Sequence, residues 1–403
     1  MPSTLPDGEP VPADGALPSR ALEGLGTRPF AFYVHVPFCV TRCGYCDFNT
    51  YTATELGPGA SRDSYAETAI AEVRMARRVL GDDVDLPVET VFVGGGTPTL
   101  LPPDDLGRVL AAIDAEFGLA PGAEVTTEAN PESVDERYVG RLREVGFTRV
   151  SYGMQSAREH VLAVLERAHT PGRVPQVVEW TRRAGFEHIN LDLIYGTPGE
   201  TDDDWRASLE AALNTEPDHV SAYALIVEDG TRLAAQVRRG ELTAPDDDAM
   251  ADRYLIADEL LTAQGLHWYE ISNWAADPTA VCRHNMLYWT GADWWGVGPG
   301  AHSHVGGTRW WNVKHPAAYA ARLAEARSPA HAREVLDDDD RRIERIMLEL
   351  RLAKGCPTTL LDDKATRRAI DDGLLEPTPY EQGRAVLTLH GRLLADAVVR
   401  ALT

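Results

Sequence analysis

Cysteine is scarce in this sequence: there are five in 403 residues, at positions 39, 43, 46, 282 and 356. A disulfide framework is therefore not what holds the fold. Three thiols of the five fall within eight positions, which fits a reducing cytoplasm and a metal role. Basic residues are also short, 39 Lys and Arg against 62 Asp and Glu, giving a net charge of -23. A phosphate-binding surface needs the opposite sign, so neither nucleic acid nor an anionic membrane is an expected partner. No run of about 18 apolar residues occurs, and no transmembrane helix is expected. Residues 1–28 have neither the basic start nor the apolar core of a secretory signal. Rich in Pro, Gly, Ala and acidic residues, they are expected to form a disordered tail.

What is present begins with those three thiols. Cys39, Cys43 and Cys46 form a C-x₃-C-x₂-C array directly after an apolar run. Three thiolates can hold three irons of a cubane [4Fe-4S] cluster and leave the fourth open. A structural zinc site would normally take four tight ligands. A disulfide is the other bland reading, and it does not suit so few cysteines without an export signal.

From Phe30 onward a short apolar run alternates with an amphipathic segment six times. The runs cover 30–38, 90–96, 124–130, 149–156, 188–196 and 219–227, and their Val, Ile, Tyr and Phe content suits buried parallel strands. Between them, Tyr65, Ala69, Val73, Ala76 and Leu80 share one helical face, and Leu106, Val109, Leu110, Ile113 and Phe117 share another. Gly118, Gly146 and Gly185 punctuate helix ends. The expected class is α/β, with six right-handed strand–helix units in a barrel or an open sheet. In either, ligands sit at the carboxyl ends of the strands.

The polar motifs fall on that rim. The first run leads into the cysteines, the second into the glycine motif 94–99, the third carries Glu128, the fourth ends near Gln155, and the fifth holds Asp192. An amino acid can chelate an open cluster iron through its amino and carboxylate groups. With S-adenosylmethionine in that role, one electron cleaves the sulfonium C–S bond and the cofactor carries the radical chemistry. Glycines allow close backbone approach to the methionine end. Glu128 and Asp192 suit ribose hydroxyls or an ammonium, and Arg167 a carboxylate, although a surface helix arginine is its ordinary reading.

After the sixth run the character changes. Residues 267–315 hold seven of the nine tryptophans and five of the twelve histidines. They include Cys282-Arg283-His284-Asn285-Met286-Leu287-Tyr288-Trp289 and, downstream, a glycine-rich loop with His302 and His304 as further candidate ligands. His or Cys commonly holds haem iron, and aromatic residues can line a flat macrocycle. The bland alternative is that His284 caps a helix or fills a core. The acidic run 337–340 reads as a linker or a helix start, and the final segment as a small helical, winged-helix-like domain. The expected divisions are 29–265, 266–335 and 336–403.

Together, the cysteine array with Tyr33, the motif 94–99, Glu128, Gln155 and Asp192 resembles the radical SAM superfamily. Within it, the chain is similar to the oxygen-independent coproporphyrinogen III oxidase-like group, from about residue 30 to the C-terminus. That resemblance implies a partial (β/α)₆ TIM-type barrel followed by a smaller C-terminal domain. It implies that Cys39, Cys43 and Cys46 ligate the cluster. Tyr33, Tyr45, Gly95, Gly96, Thr97, Glu128, Gln155, Arg167 and Asp192 would contact S-adenosylmethionine. The oxidases of the group resemble C-x₃-C-x₂-C-x-C, whereas Phe48 stands at the last cysteine position here. The Cys-Asp-Phe form is similar to the haem chaperone branch, as is H-N-x-x-Y with His284, Asn285 and Tyr288 as haem contacts. The resemblance therefore implies haem as cargo, haem-accepting respiratory proteins and an electron donor as partners, and a homodimer as an assembly open to it. The alternative is radical oxidative decarboxylation of coproporphyrinogen III.

Overall fold

A computed structural model describes residues 7–56 and 59–403. The six expected strands are all present: β1 (Phe30–Val36), β2 (Val88–Gly95), β3 (Leu119–Ala129), β4 (Arg149–Gln155), β5 (His188–Tyr195) and β6 (His219–Ala224). They pair parallel in chain order. Both faces of the parallel strands are covered, which is why six of the seven β1 residues are buried and the run reads as continuously apolar.

The covering helices form as their patterns predict. In Arg62–Leu80, Ser61 accepts from Ser64 N at the start and Gly81 takes φ 97° at the end; Tyr65, Ala69, Val73, Ala76 and Leu80 are buried. Pro103–Phe117 opens with proline at its first position and buries Leu106, Val109, Leu110, Ile113 and Phe117.

The region after the barrel strands is not a separate body. It adds strands to both ends of the same sheet. On one side, β7 (His267–Glu270) and β8 (Asn273–Ala275) continue from β6 antiparallel. On the other, β9 (Asp293–Val297) pairs parallel with β1, followed by β10 (His302–Val305), β11 (Thr308–Asn312) and β12 (Ala330–Val335), antiparallel. The resulting order is β12-β11-β10-β9-β1-β2-β3-β4-β5-β6-β8-β7. Among the described residues no strand pairing joins its two ends.

Residues 1–6 of the expected tail lie outside the described residues. Residues 7–28 differ from the expectation: they are tied to the β12 side of the sheet. Glu9 exchanges backbone hydrogen bonds with Arg333, and Ser328 N donates to Ala13 O at 2.7 Å. Ala21 is buried. The physical reason is the edge strand, whose unpaired backbone groups accept a covering segment.

At the C-terminal end the acidic run is a helix start. Asp337 caps Asp338–Glu349 in a capping box with Asp340. This helix packs with Asp363–Asp371, Ala395–Leu402 and a two-stranded sheet around a small core of its own, including Ile346, Leu350, Leu375 and Val398.

Candidate cofactor cavity and its inner chamber

The rim motifs meet at a cavity of about 1010 Å³. Cys39, Cys43 and Cys46 lie on the loop that leaves β1, and all three face it, as do Tyr45, Gly95, Gly96, Thr97, Glu128, Gln155, Arg167 and Asp192. Of the residues expected to contact S-adenosylmethionine, only Tyr33 is placed elsewhere. Among the described residues no three of His, Cys, Asp and Glu close on a single metal ion. All three thiols are free, so each is open to serve as a donor. Burial raises the Cys39 thiol and pushes Cys46 up to about 11. Electropositive support comes from Arg167, whose Nη1 lies 3.8 Å from Cys43 Sγ while Nη2 donates to Gly153 O at 2.9 Å.

The glycines are needed where the backbone runs closest. A Cβ on Gly96 would lie 2.5 Å from Phe38 O and 3.0 Å from Cys39 Sγ. Gly95 has φ +112°, and its N–H donates to Glu128 Oε2 at 3.0 Å. The opposite wall is made by a bulge: the β4–β5 register shifts between Gly153 and Gln155, and Gln155 takes φ 65°. A non-glycine residue held in the left-handed region beside a cavity is the strain expected at a working site.

Glu128 and Asp192 form the floor. Burial and the nearby Asp192 push Glu128 up to about 8. Asp192 is also raised by burial, opposed by hydrogen bonds from Ser151 at 2.7 Å and Asn190 at 2.8 Å. With its pKa at about 8, Glu128 can keep its carboxyl proton at neutral pH beside the cavity. The three free thiols, the glycine cradle and the paired carboxylates together fit a cluster and S-adenosylmethionine.

Beneath this floor lies an inner chamber of about 200 Å³ that shares Glu128, Ser151, Asp192 and Tyr223 with the cavity above. Tyr33 lines this chamber, with its hydroxyl 3.0 Å from His35 Nδ1. His284, Asn285 and Tyr288 line it too. The helix Arg283–Trp289 closes the chamber's base, because the Glu124 carboxylate on β3 accepts from the backbone N–H of Arg283 and of His284. His284 is 1% exposed; its Nδ1 pairs with Thr90 Oγ1 at 2.7 Å and its Nε2 with Tyr288 OH at 2.8 Å. Burial alone lowers its pKa to about 3, so the ring is neutral. Both ring nitrogens are engaged, and the chamber falls below the ~300 Å³ at which ordinary small-molecule sites begin.

Of the other candidate ligands, His304 is engaged by the fold, whereas His302 keeps a buried Nε2 without a hydrogen-bond partner. His304 Nδ1 bonds Ala292 O at 2.9 Å, and His302 stacks on Trp311. Conversely, Ser151 and Tyr223 line both cavities and had not been singled out. Their signal was strand alternation: Ser151, Gly153 and Gln155 on β4, and Ser221 and Tyr223 on β6, follow the every-second-residue rule.

The radical SAM superfamily model matches residues 33–212. The chain is 52% identical over 379 residues to the heme chaperone HemW of Mycobacterium tuberculosis, covering 93% of this chain and 95% of that protein. It is 31% identical over 393 residues to the heme chaperone HemW of Escherichia coli, with 92% and 97% covered. Among solved structures, the coproporphyrinogen III oxidase HemN of Escherichia coli superposes with a TM-score of 0.80 over 96% of this chain and 94% of that one, at 22% identity, which speaks for a common fold. With the cysteine array inside the matched region and relatives aligned over nearly the full length, the chain belongs to the radical SAM superfamily and, within it, to the HemW family.

Proposed function

We propose that this protein is a haem chaperone: it binds haem and hands it to haem-dependent respiratory proteins. The observation that carries the reading is the 52% identity, across nearly the whole chain, to a relative named a heme chaperone. The site supports it at Phe48. Where the oxidase pattern has one more cysteine, this chain places an aromatic ring at the mouth of the cavity. Cys39, Cys43 and Cys46 would hold a [4Fe-4S] cluster, and Gly95, Gly96, Thr97, Glu128, Gln155, Arg167 and Asp192 an S-adenosylmethionine. Such a pair, when bound, supplies one-electron chemistry. The chain's own residues contribute the acidic floor, the Arg167 guanidinium and the glycine backbone that orient the ligand. For His284 to reach haem iron, Nε2 must first give up Tyr288.

The test is a titration of anaerobically purified protein, its cluster reconstituted, with haem, and a parallel assay on coproporphyrinogen III. One haem per chain and no decarboxylated product are expected. Robust decarboxylation would overturn the chaperone reading in favour of the oxidase.

A further inference from the structure

A hydrogen-bond chain runs through the wall of the inner chamber and ends on the cavity floor. It starts at Tyr269 on β7, whose hydroxyl lies 2.8 Å from His219 Nε2. His219 Nδ1 lies 2.6 Å from Asn190 Oδ1. The Asn190 amide nitrogen donates to Asp192 Oδ1 at 2.8 Å and to Ser151 Oγ at 2.7 Å. Ser151 Oγ donates in turn to Asp192 Oδ2 at 2.7 Å. Asn190, Ser151 and His219 are all buried. His219 lines the chamber but not the cavity above it, and Tyr269 lines neither.

The chain has a single polarity. A carboxylate at its end accepts and does not donate. Were the Asn190 amide turned over, its oxygen would face that carboxylate with no proton between them. Asn190 therefore keeps its N–H₂ group toward Asp192 and its oxygen toward His219, and His219 donates through Nδ1. Burial, and after it the Arg149 guanidinium, push the His219 pKa well below its ordinary value, so the ring is neutral and carries one N–H. Nε2 is left as an acceptor, and the Tyr269 hydroxyl donates to it. Tyr269 is held from behind, where its carbonyl accepts from Ala353 N at 2.9 Å. The two floor carboxyls thus differ. Asp192 receives donors from Ser151 and Asn190, whereas Glu128 receives the Gly95 N–H alone. More donors favour the charged form, which places the negative charge of the pair on Asp192.

We propose that His219 and Tyr269 are positioning residues for the cofactor: acting through Asn190 from outside the cavity, they hold Asp192 as the acceptor for ligand hydroxyls. The proposal rests on the reading that the cavity takes S-adenosylmethionine. In that ligand the amino and carboxylate groups are committed to the open iron, which leaves the ribose hydroxyls as the donors for Asp192.

The experiment measures affinity on the anaerobic, cluster-loaded full chain with two probes. One is S-adenosylmethionine and the other its 2′,3′-dideoxy analogue, which lacks the ribose hydroxyls. Tyr269→Phe removes a single oxygen and frees the His219 tautomer, and should weaken S-adenosylmethionine about threefold. His219→Leu removes the donor to Asn190 and should weaken it by about tenfold or more. His219→Asn returns an amide N–H close to the place of Nδ1 and should recover most of that loss. The dideoxy analogue should bind every variant as it binds wild type. Tyr152→Phe is the control: it deletes a buried hydroxyl that pairs with Thr181 Oγ1 at 2.7 Å, outside both cavities, and should bind both probes as wild type. Wild-type affinity for S-adenosylmethionine in either Tyr269→Phe or His219→Leu overturns the positioning role and leaves the cofactor reading in place. So does equal weakening of the two probes, or equal weakening by Tyr152→Phe. A wild-type chain that binds neither probe overturns the cofactor reading itself.

Discussion

His284 illustrates how deeply one side chain of a motif can be built into the fold. Its ring joins the start of β2, through Thr90, to its own helix, through Tyr288, and it stacks on Phe92 with centroids 5.2 Å apart. Removing the imidazole strands two buried hydroxyls and leaves a void. Together those effects cost about 2–4 kcal/mol. His284→Ala should therefore lower the thermal midpoint measurably, and Thr90→Val should lower it less. A variant that lost haem while melting like wild type would return His284 to the iron. The neutral state of the ring fits the structural role, since a protonated imidazole would be a buried charge without a counter-ion at hydrogen-bonding distance.

The cysteine loop depends on elements that lie far away in the chain. His35 on β1 holds Asn49 O at 2.9 Å through Nε2. The Asn49 side chain donates to Pro299 O at 2.9 Å and Lys314 O at 2.8 Å. The loop between β9 and β10 must come close enough for this, and Gly298 permits it: φ is +110°, and a Cβ there would lie 2.4 Å from His35 O. Asn49→Ala should release the end of the cysteine loop. The expected result is faster cluster loss in air and less iron per chain, with an unchanged far-ultraviolet spectrum; unchanged cluster lifetime would remove Asn49 from this role. The same contacts show what could be read from the sequence. The six parallel strands were legible, because burial on both faces makes each a continuous apolar run. Nearly all of the rim residues were legible, because strand ends collect them. The position of H-N-x-x-Y was not, since Thr90 and His284 are 194 residues apart and no local period records that contact. The glycines of 296–300 looked like part of a ligand loop. They instead answer to close neighbours, His302 O for Gly296, His35 O on β1 for Gly298 and the Asn49 side chain for Gly300, which only the fold supplies.

The molecule as a whole carries both its surface acidity and its buried acids into a pH dependence. Burial is the first cause that raises Glu72, Glu200 and Glu270 to about 7 and Glu128 to about 8. Each group is a carboxylate whose folded pKa lies above its unfolded value. Between the two values the native state holds more protons than the unfolded chain, so stability falls as pH rises, by about 1.4 kcal/mol per pH unit for each fully differential proton. The buried histidines act oppositely. His35 and His302, lowered to about 4, and His284, lowered to about 3, make stability rise with pH, but only up to their unfolded pKa near 6.5. Below about pH 6.5 the two groups oppose each other; above it the carboxylates act without that opposition. The thermal midpoint of the cluster-free protein should therefore fall from pH 6.5 to 8.5. Glu128→Gln keeps an acceptor for Gly95 N and removes the titration, so its curve should be shallower over the same interval. A midpoint that is flat or rising there in the wild type would mean that these carboxylates are ionised and compensated in the fold, and the neutral floor beneath the cofactor cavity would have to be abandoned.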